Sequence, residues 1–406
     1  MFEAWLVEKG LSAKGYEGAA LLEAFRQEMR LGLRGAGSSL AMLPTYLAPV
    51  RGAVEGTVAF VDAGGTNLRT GLAVLDGSGA VRFEAVKKQP MPGRNGVVSA
   101  AAFYAAVCEG LLPLADRFER IGFCFSYPAE ILPDGDGRLL GWTKEVEIPE
   151  MVGSCVGAGL RAALRAAGAG EKSVVVLNDT TATLLAGCSV GHSFGADQFV
   201  GFILGTGTNA ACVHEGAVVN MESGNFGAWK PSVADDRLDE QSVNRGAYRF
   251  EKAVAGAYLG SLTLEALRLA ATEGWLSDEG RAWVLKQESL ETVALSMRLG
   301  GTTVETLELQ GEDERLMLML FERLVERAAL FSAVNMVAGL LADEGVSAAP
   351  ACICADGSTF YRTPGLAAQT EVFMRELLAP FGREFRVVTV EDAPAVGSAV
   401  AAVAGV

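Results

Sequence analysis

Apolar and polar residues alternate along this chain in two rhythms, and the switches between them outline its elements. Residues 16 to 34 place Leu21, Leu22, Phe25, Met29 and Leu31 at helical spacing with charges between them, and Gly35 to Ser39 ends the pattern. Three strand-like runs follow in quick succession: Thr57 to Val61, Thr70 to Leu75 and Val81 to Val86. Asp76-Gly77-Ser78-Gly79 supplies the turn before the third. The spacing then predicts a helix over Ala100 to Phe118, a strand over Ile121 to Phe125, a helix over Pro149 to Ala167 and a buried strand over Ser173 to Leu177. This strand-strand-strand-helix-strand-helix order restarts at Phe199. It continues through a long helix over 312 to 343, a strand at Ala351 to Ala355, a helix at Pro364 to Ala379, a strand at Phe385 to Val388 and a terminal helix. Two mixed sheets with helices are expected, one in each half of the chain.

The restart is visible in the loops as well. Val61-Asp62-Ala63-Gly64-Gly65-Thr66-Asn67 and Leu204-Gly205-Thr206-Gly207-Thr208-Asn209 each leave one apolar run and enter another. Each reads as strand, tight loop, strand, with exposed amides and small hydroxyls in the turn. A repeated pair points to two similar half-domains presenting two phosphate-gripping turns to one cleft, and so to a nucleotide-using enzyme.

Composition narrows the field. A chain of 406 residues should hold about two domains. With 50% hydrophobic and 20% charged residues it can bury a large core and is not of a disordered class. Its 49 glycines fit many tight turns. A net charge of −15 repels nucleic acid and acidic membrane surfaces. It leaves ATP possible, because backbone N–H groups and Mg2+ can grip phosphates locally. The seven cysteines sit mostly in apolar runs and read as reduced, buried small residues of a cytoplasmic protein. Cys352 and Cys354 should face one side of a strand. With two histidines and no second cysteine pair, a zinc site is not expected. No signal peptide is visible at Met1 to Trp5, and no apolar stretch reaches the roughly 18 residues that a membrane span needs. Val396 to Val406 reads as a buried helix.

Candidate chemistry gathers at a few places. Asn178-Asp179-Thr180 follows the Val174 to Leu177 strand directly, where an Asp can serve catalysis or simply cap the next helix. His192 and His214 lie in ordinary contexts, so a carboxylate is the better candidate for a base. No P-loop is present: Gly170-Glu171-Lys172-Ser173 lacks the glycine directly before lysine. Polar clusters suited to a polyol occur at Ser126-Tyr127-Pro128, Trp142-Thr143-Lys144, Asn209, Asn220-Met221-Glu222 and Glu251-Lys252.

Taken together these segments resemble the hexokinase family. Ile121 to Pro128 followed by Trp142-Thr143-Lys144 is similar to the family signature around its sugar site, with Cys124 in place of the usual Thr or Asn. Ser39 to Tyr46, Asp62 to Arg69, Gly205 to Asn209, Phe250-Glu251-Lys252, Tyr258-Leu259-Gly260 and Ala355-Asp356-Gly357-Ser358 resemble family segments too. Asn220-Met221-Glu222-Ser223-Gly224 is similar to the family's Asn-Met-Glu-Trp-Gly, with Ser223 replacing the tryptophan. Asp392-Ala393-Pro394-Ala395 departs from a glycine-rich turn, and residues 277 to 310 match poorly.

The resemblance implies an α/β, two-lobed actin-like ATPase (ribonuclease H-like) fold, each lobe a mixed five-stranded sheet flanked by helices. The small domain would be residues 53–180 plus 393–406, and the large domain 1–52 plus 181–392. It implies ATP-dependent phosphorylation of a hexose, glucose first among them, at the 6-hydroxyl, as the first step of glycolysis. Asp179 would be the base and Lys144 a positive charge near the reacting oxygen. Ser126, Tyr127, Pro128, Thr143, Lys144, Asn178, Asn209, Glu222 and Glu251 would hold the sugar. Asp62, Gly64, Gly65, Thr66, Asn67, Arg69, Gly205, Thr206, Gly207, Thr208, Asp356, Gly357 and Ser358 would hold ATP, with Asp62 ordering Mg2+ through water. The expected partners are a hexose and MgATP, with the chain a monomer or homodimer. The alternatives are a hexokinase-like sugar sensor with little catalysis and an actin-fold chaperone ATPase.

Overall fold

The computed structural model describes residues 1–143, 145–343 and 349–405. In chain order its strands are β1 Leu43–Pro44, β2 Glu55–Ala63, β3 Asn67–Asp76, β4 Val81–Pro90, β5 Arg120–Phe125, β6 Ala129–Ile131 and β7 Gly137–Leu139. They continue with β8 Ser173–Leu177, β9 Gln198–Leu204, β10 Thr208–His214, β11 Ala217–Asn220, β12 Ala351–Asp356 and β13 Phe385–Val388. One sheet runs β4-β3-β2-β5-β8 and the other β1-β11-β10-β9-β12-β13.

Apart from the two-residue edge strand β1, the sheets share one plan. Three antiparallel strands (β2 to β4, or β9 to β11) come first, and two parallel ones follow (β5 and β8, or β12 and β13). A helix crosses over between the last two strands of each sheet, Val156–Ala166 in one and Leu366–Leu378 in the other. Each sheet then ends in a further helix, Asp179–Gly191 after β8 and Ala393–Ala404 after β13. The restart read from the sequence is thus a structural repeat, and the two mixed sheets flanked by helices match the expected fold class.

The two final helices pack on each other between the sheets. Val58, Phe60 and Leu75 of the first sheet, and Phe199, Ala211 and Cys354 of the second, share one hydrophobic cluster with Ala182, Leu185, Ala399 and Val400 of these helices. The helices meet backbone to backbone: a Cβ built on Gly397 would lie 1.7 Å from the Ala182 carbonyl oxygen. The outer face of the first sheet is covered by helices Ala100–Leu111 and Val156–Ala166. The outer face of the second is covered by Gly311–Leu340, with the N-terminal helices packed on that helix.

Local sequence explains several element ends. The predicted helix over Ala100 to Phe118 is α-helical to Leu111 and then tightens to a 3-10 turn around Pro113. The predicted helix from Pro149 splits into a 3-10 turn at Pro149–Met151 and an α-helix from Val156, with Gly153 at φ +81° between them. The long helix buries Arg327 completely. Its guanidinium forks onto both Asp235 oxygens at 2.8 Å each and donates to the Gly10 carbonyl at 2.9 Å, tying the N-terminal segment to the core. Six cysteines are buried and Cys155 is partly exposed, all of them free thiols. Among the described residues no helix is long and apolar enough to cross a membrane.

Candidate active site

The β2–β3 and β9–β10 connections are both antiparallel hairpins with tight loops. In the first, Gly64 N–H donates to the Asn67 carbonyl at 3.1 Å. The Thr66 side chain is exposed at the tip, while Asp62, at the end of β2, is half-buried. In the second, Gly205 N–H donates to the Gly207 carbonyl at 2.9 Å and Thr206 is exposed at the tip. The Gly205 carbonyl accepts from Gly256 N–H at 2.9 Å and from the Thr359 hydroxyl at 2.8 Å. This places the loop against the start of the helix Ser358–Arg362, which carries the Asp356-Gly357-Ser358 segment. Burial pushes the Asp356 carboxyl above its ordinary range, and the nearby Asp179 and Asp392 charges push it further; the Gly357 N–H bond opposes them.

Thr208 is set differently from its neighbours in the second loop. Its N–H donates to Glu251 Oε2 at 2.8 Å and its hydroxyl to the Ile203 carbonyl at 2.9 Å. Both Thr208 donors are therefore engaged within the protein, and the exposed donors of this turn lie at its Thr206 tip.

Arg69, on β3 beyond the first loop, forks onto Asp392 at 2.6 and 2.7 Å and lies 3.8 Å from Asp62. Asp392 has φ +55° and precedes the terminal helix, which begins with Ala393 and Pro394. The turn that departs from the glycine-rich pattern thus keeps a left-handed residue at its head. Asp392 is 323 residues from Arg69, and nothing in the local sequence of either marks the pairing.

Asp179 is the first residue of its helix. Asn178 caps that helix, its side chain accepting Thr180 N–H at 2.9 Å. The N-cap position is therefore taken by Asn178 and not by Asp179. Asp179 Oδ1 accepts from Thr180 N–H at 2.8 Å, which leaves Oδ2 without a protein partner among the described residues. Asp179 also lies within the field of Glu222, whose carboxyl is raised first by burial and further by the Asp179 charge, against an opposing bond from Asn220.

The second sheet supplies a chain of amides. Asn209 Nδ2 donates to Asn220 Oδ1 at 2.8 Å, and Asn220 Nδ2 donates to Glu222 Oε1 at 2.8 Å. Asn209 Oδ1 accepts from Ser223 N–H at 3.1 Å. Glu222 holds φ +53°, a strained conformation for a non-glycine residue. The Ser39 to Tyr46 segment lies beside this turn: Met42 N–H reaches the Met221 carbonyl at 3.4 Å, and Leu43 pairs with Asn220. Glu251 extends from the short helix Arg249–Val254, while Lys252 is buried on Asp239 at 2.6 Å and so anchors that helix.

On the first sheet, Ser126 N–H donates to the Ala63 carbonyl at 3.2 Å, beside the first loop. Tyr127 is turned inward: its hydroxyl donates to the Gly64 carbonyl at 2.8 Å, and its ring packs on Phe125 and Trp142. It joins the Ser-Tyr-Pro segment to the first loop. Pro128 and Thr143 are exposed, and the Trp142 indole N–H fixes the Thr143 loop on the Ile148 carbonyl at 2.7 Å. Lys144 lies outside the described residues. Asn220, part of a predicted polyol cluster, joins the same constellation, and so does Asp392, which the sequence marks only as a departure from the glycine-rich turn.

Comparison with known proteins identifies the family. One hexokinase family model matches residues 7–189 and a second matches residues 199–404. Hexokinase-9 of rice (Oryza sativa subsp. japonica) is 34% identical over 287 residues, which is 62% of this chain and 55% of that protein. Rice Hexokinase-1 is 28% identical over 95% of this chain and 87% of that protein. The matched part thus spans about half the length of the first of these relatives. Among solved structures, a hexokinase aligns with TM-score 0.83 at 23% identity over 96% of each chain. A Schistosoma mansoni hexokinase complexed with glucose aligns with TM-score 0.79 at 23% identity, over 99% of this chain and 98% of that one. With the two family models together covering most of its length, the chain belongs to the hexokinase family.

Proposed function

We propose that this protein transfers the γ-phosphoryl group of MgATP to the 6-hydroxyl of a hexose, with glucose the first candidate. The observation that carries the reading is the bond from Thr208 N–H to Glu251, which couples a polyol-type carboxylate to the second phosphate loop. The Asn209–Asn220–Glu222 chain supports it, because it offers oriented acceptors and donors of the kind a ring of hydroxyls needs.

Asp179 accepts the proton of the attacking hydroxyl at Oδ2, which no protein group occupies among the described residues. The transition state of phosphoryl transfer is loose, so the base acts late and a carboxylate suffices. Glu222, Glu251, Asn209 and Asn178, with Ser126 and Thr143 from the other sheet, orient the hexose. Lys144 belongs to the same assignment. The hairpin tips at Gly64 to Thr66 and Gly205 to Gly207 hold the phosphates, and Asp356 to Ser358 lie beside the nucleoside.

Among the described residues no group of three or more His, Cys, Asp or Glu is arranged to hold a metal. In this reading a Mg2+ ion would arrive on the nucleotide, and Asp62, half-buried at the end of β2, would be its partner through water. When bound, the ion supplies charge neutralisation on the phosphates. We take residues 53–180 plus 393–406 as a small domain and 1–52 plus 181–392 as a large one, closing over the sugar to exclude water.

The test is ADP release measured across a panel of hexoses with purified protein. Hexose-dependent ADP formation with sugar 6-phosphate as product supports the reading. ATP hydrolysis indifferent to every hexose, or hexose binding without turnover, overturns it.

A further inference from the structure

Asn335 lies in the last third of the helix Gly311–Leu340 and is fully buried. An amide there is costly unless it is bonded. Its Nδ2 donates to Ser223 Oγ at 2.9 Å, while its Oδ1 has no partner among the described residues. Ser223 is the residue that stands where the family motif has tryptophan. It is itself fully buried, and its N–H donates to Asn209 Oδ1 at 3.1 Å.

The bonds therefore run on without a gap. Asn335 holds Ser223, Ser223 holds Asn209, Asn209 Nδ2 holds Asn220, and Asn220 Nδ2 reaches Glu222 Oε1. Asn209 and Asn220 are each fixed at both oxygen and nitrogen, so their flip states are set by their neighbours. Glu222 holds a left-handed conformation at the end of this chain, and such a conformation persists only where its surroundings over-determine it. An indole in place of Ser223 would fix the turn by bulk. Here a small hydroxyl and a buried amide fix it by direction.

We propose that Asn335 is a positioning residue for the sugar site: through Ser223, Asn209 and Asn220 it sets the place and orientation of the Glu222 carboxylate. The inference rests on the hexose-kinase reading and deepens it by adding a core residue to the sugar-binding apparatus.

The experiment compares Asn335→Ala, Ser223→Ala and the double variant with the unmodified protein. It reads hexose KM, ATP KM, kcat, hexose binding by calorimetry, and melting temperature. Asn335→Ala should raise hexose KM and Kd by about 10-fold, the order expected when a positioned group is displaced, while ATP KM stays unchanged. Ser223→Ala should do the same, and the double variant should be no worse than either single one, because all three break one chain. A variant that melts lower but keeps its hexose KM overturns the proposal. So does an equal rise in hexose and ATP KM, or a double variant whose effect is the product of the two singles. If the unmodified protein neither binds nor phosphorylates any hexose, the function and this inference fall together. If it does and Asn335→Ala behaves like it, only the inference falls.

Discussion

Thr208 and Glu251 are joined by a 2.8 Å bond from the backbone of a phosphate-type loop to a carboxylate on another element. The two halves of the proposed active site are therefore mechanically one on the second sheet. Gly207 makes the approach possible, since a Cβ there would lie 2.5 Å from Glu251 Oε2. Gly207→Ala should push the Glu251 carboxylate aside and raise hexose KM by about 10-fold, a displacement effect. Steady-state kinetics with hexose as the varied substrate checks this. A variant altered only in ATP KM would show that the loop and the carboxylate act separately.

Asp179→Ala should lower kcat by about 100-fold or more, the scale of general-base effects. Hexose affinity should change far less, because Asn209, Glu222 and Glu251 remain. Near-normal turnover would remove Asp179 from the role of base.

Arg69→Gln should weaken ATP, raising its KM by about 10-fold, as expected for loss of a charge-assisted contact. The pair with Asp392 is partly exposed, so its loss should cost little stability. An unchanged ATP KM would leave Arg69 with only the task of tethering the terminal helix.

Glu222 gives a pH signature. Burial, aided by the Asp179 charge, raises its carboxyl above the ordinary Glu range, so it takes up a proton at a higher pH than a solvated Glu does. Hexose KM should rise as pH falls through that raised value. Glu222→Gln should have a weaker but flatter KM–pH profile, and a profile of unchanged shape would point to a different group.

The buried Arg327–Asp235 pair sets a stability prediction. Burial alone would raise the Asp235 carboxyl, but the Arg327 charge and bonds from Arg327 and Ser232 win and hold it below the ordinary range. Its contribution is thus complete above the unfolded carboxylate value of about 3.9 and is lost as pH falls through the lower folded value. Arg327→Met should cost about 3–5 kcal/mol, because it leaves Asp235 buried and unpaired. Arg327→Met with Asp235→Leu should recover much of that. Denaturant melts of the single and double variants decide it.

Elements were legible wherever one local period ran uninterrupted. Ser173–Leu177 and Phe385–Val388 fall on the ends read from the sequence. The strands around the first loop run longer than their apolar cores, because Asn67, Arg69, Lys87 and Lys88 sit in the ladder as polar ends. Ala217–Asn220 and Thr292–Leu299 were not read from the sequence, although they are no shorter than Phe385–Val388. The hairpin loops and the Asn178-Asp179 junction were legible because each is one contiguous segment. The bonds that assemble the site were not. Arg69 with Asp392, Ser223 with Asn335 and Thr208 with Glu251 join positions 323, 112 and 43 residues apart, and no rhythm in the chain records them. Tyr127 shows the same limit from the other side: its motif marks the segment, but only packing tells that its ring points inward.

The contact of Gly397 with the Ala182 backbone has a consequence for the spacing of the two final helices. The two helices between the sheets touch here through main chain, while Leu185, Ala399 and Val400 pack in the same cluster around the contact. The crossing therefore holds the two helices at one close spacing, and a single methyl group at position 397 would meet the Ala182 carbonyl and force that spacing wider.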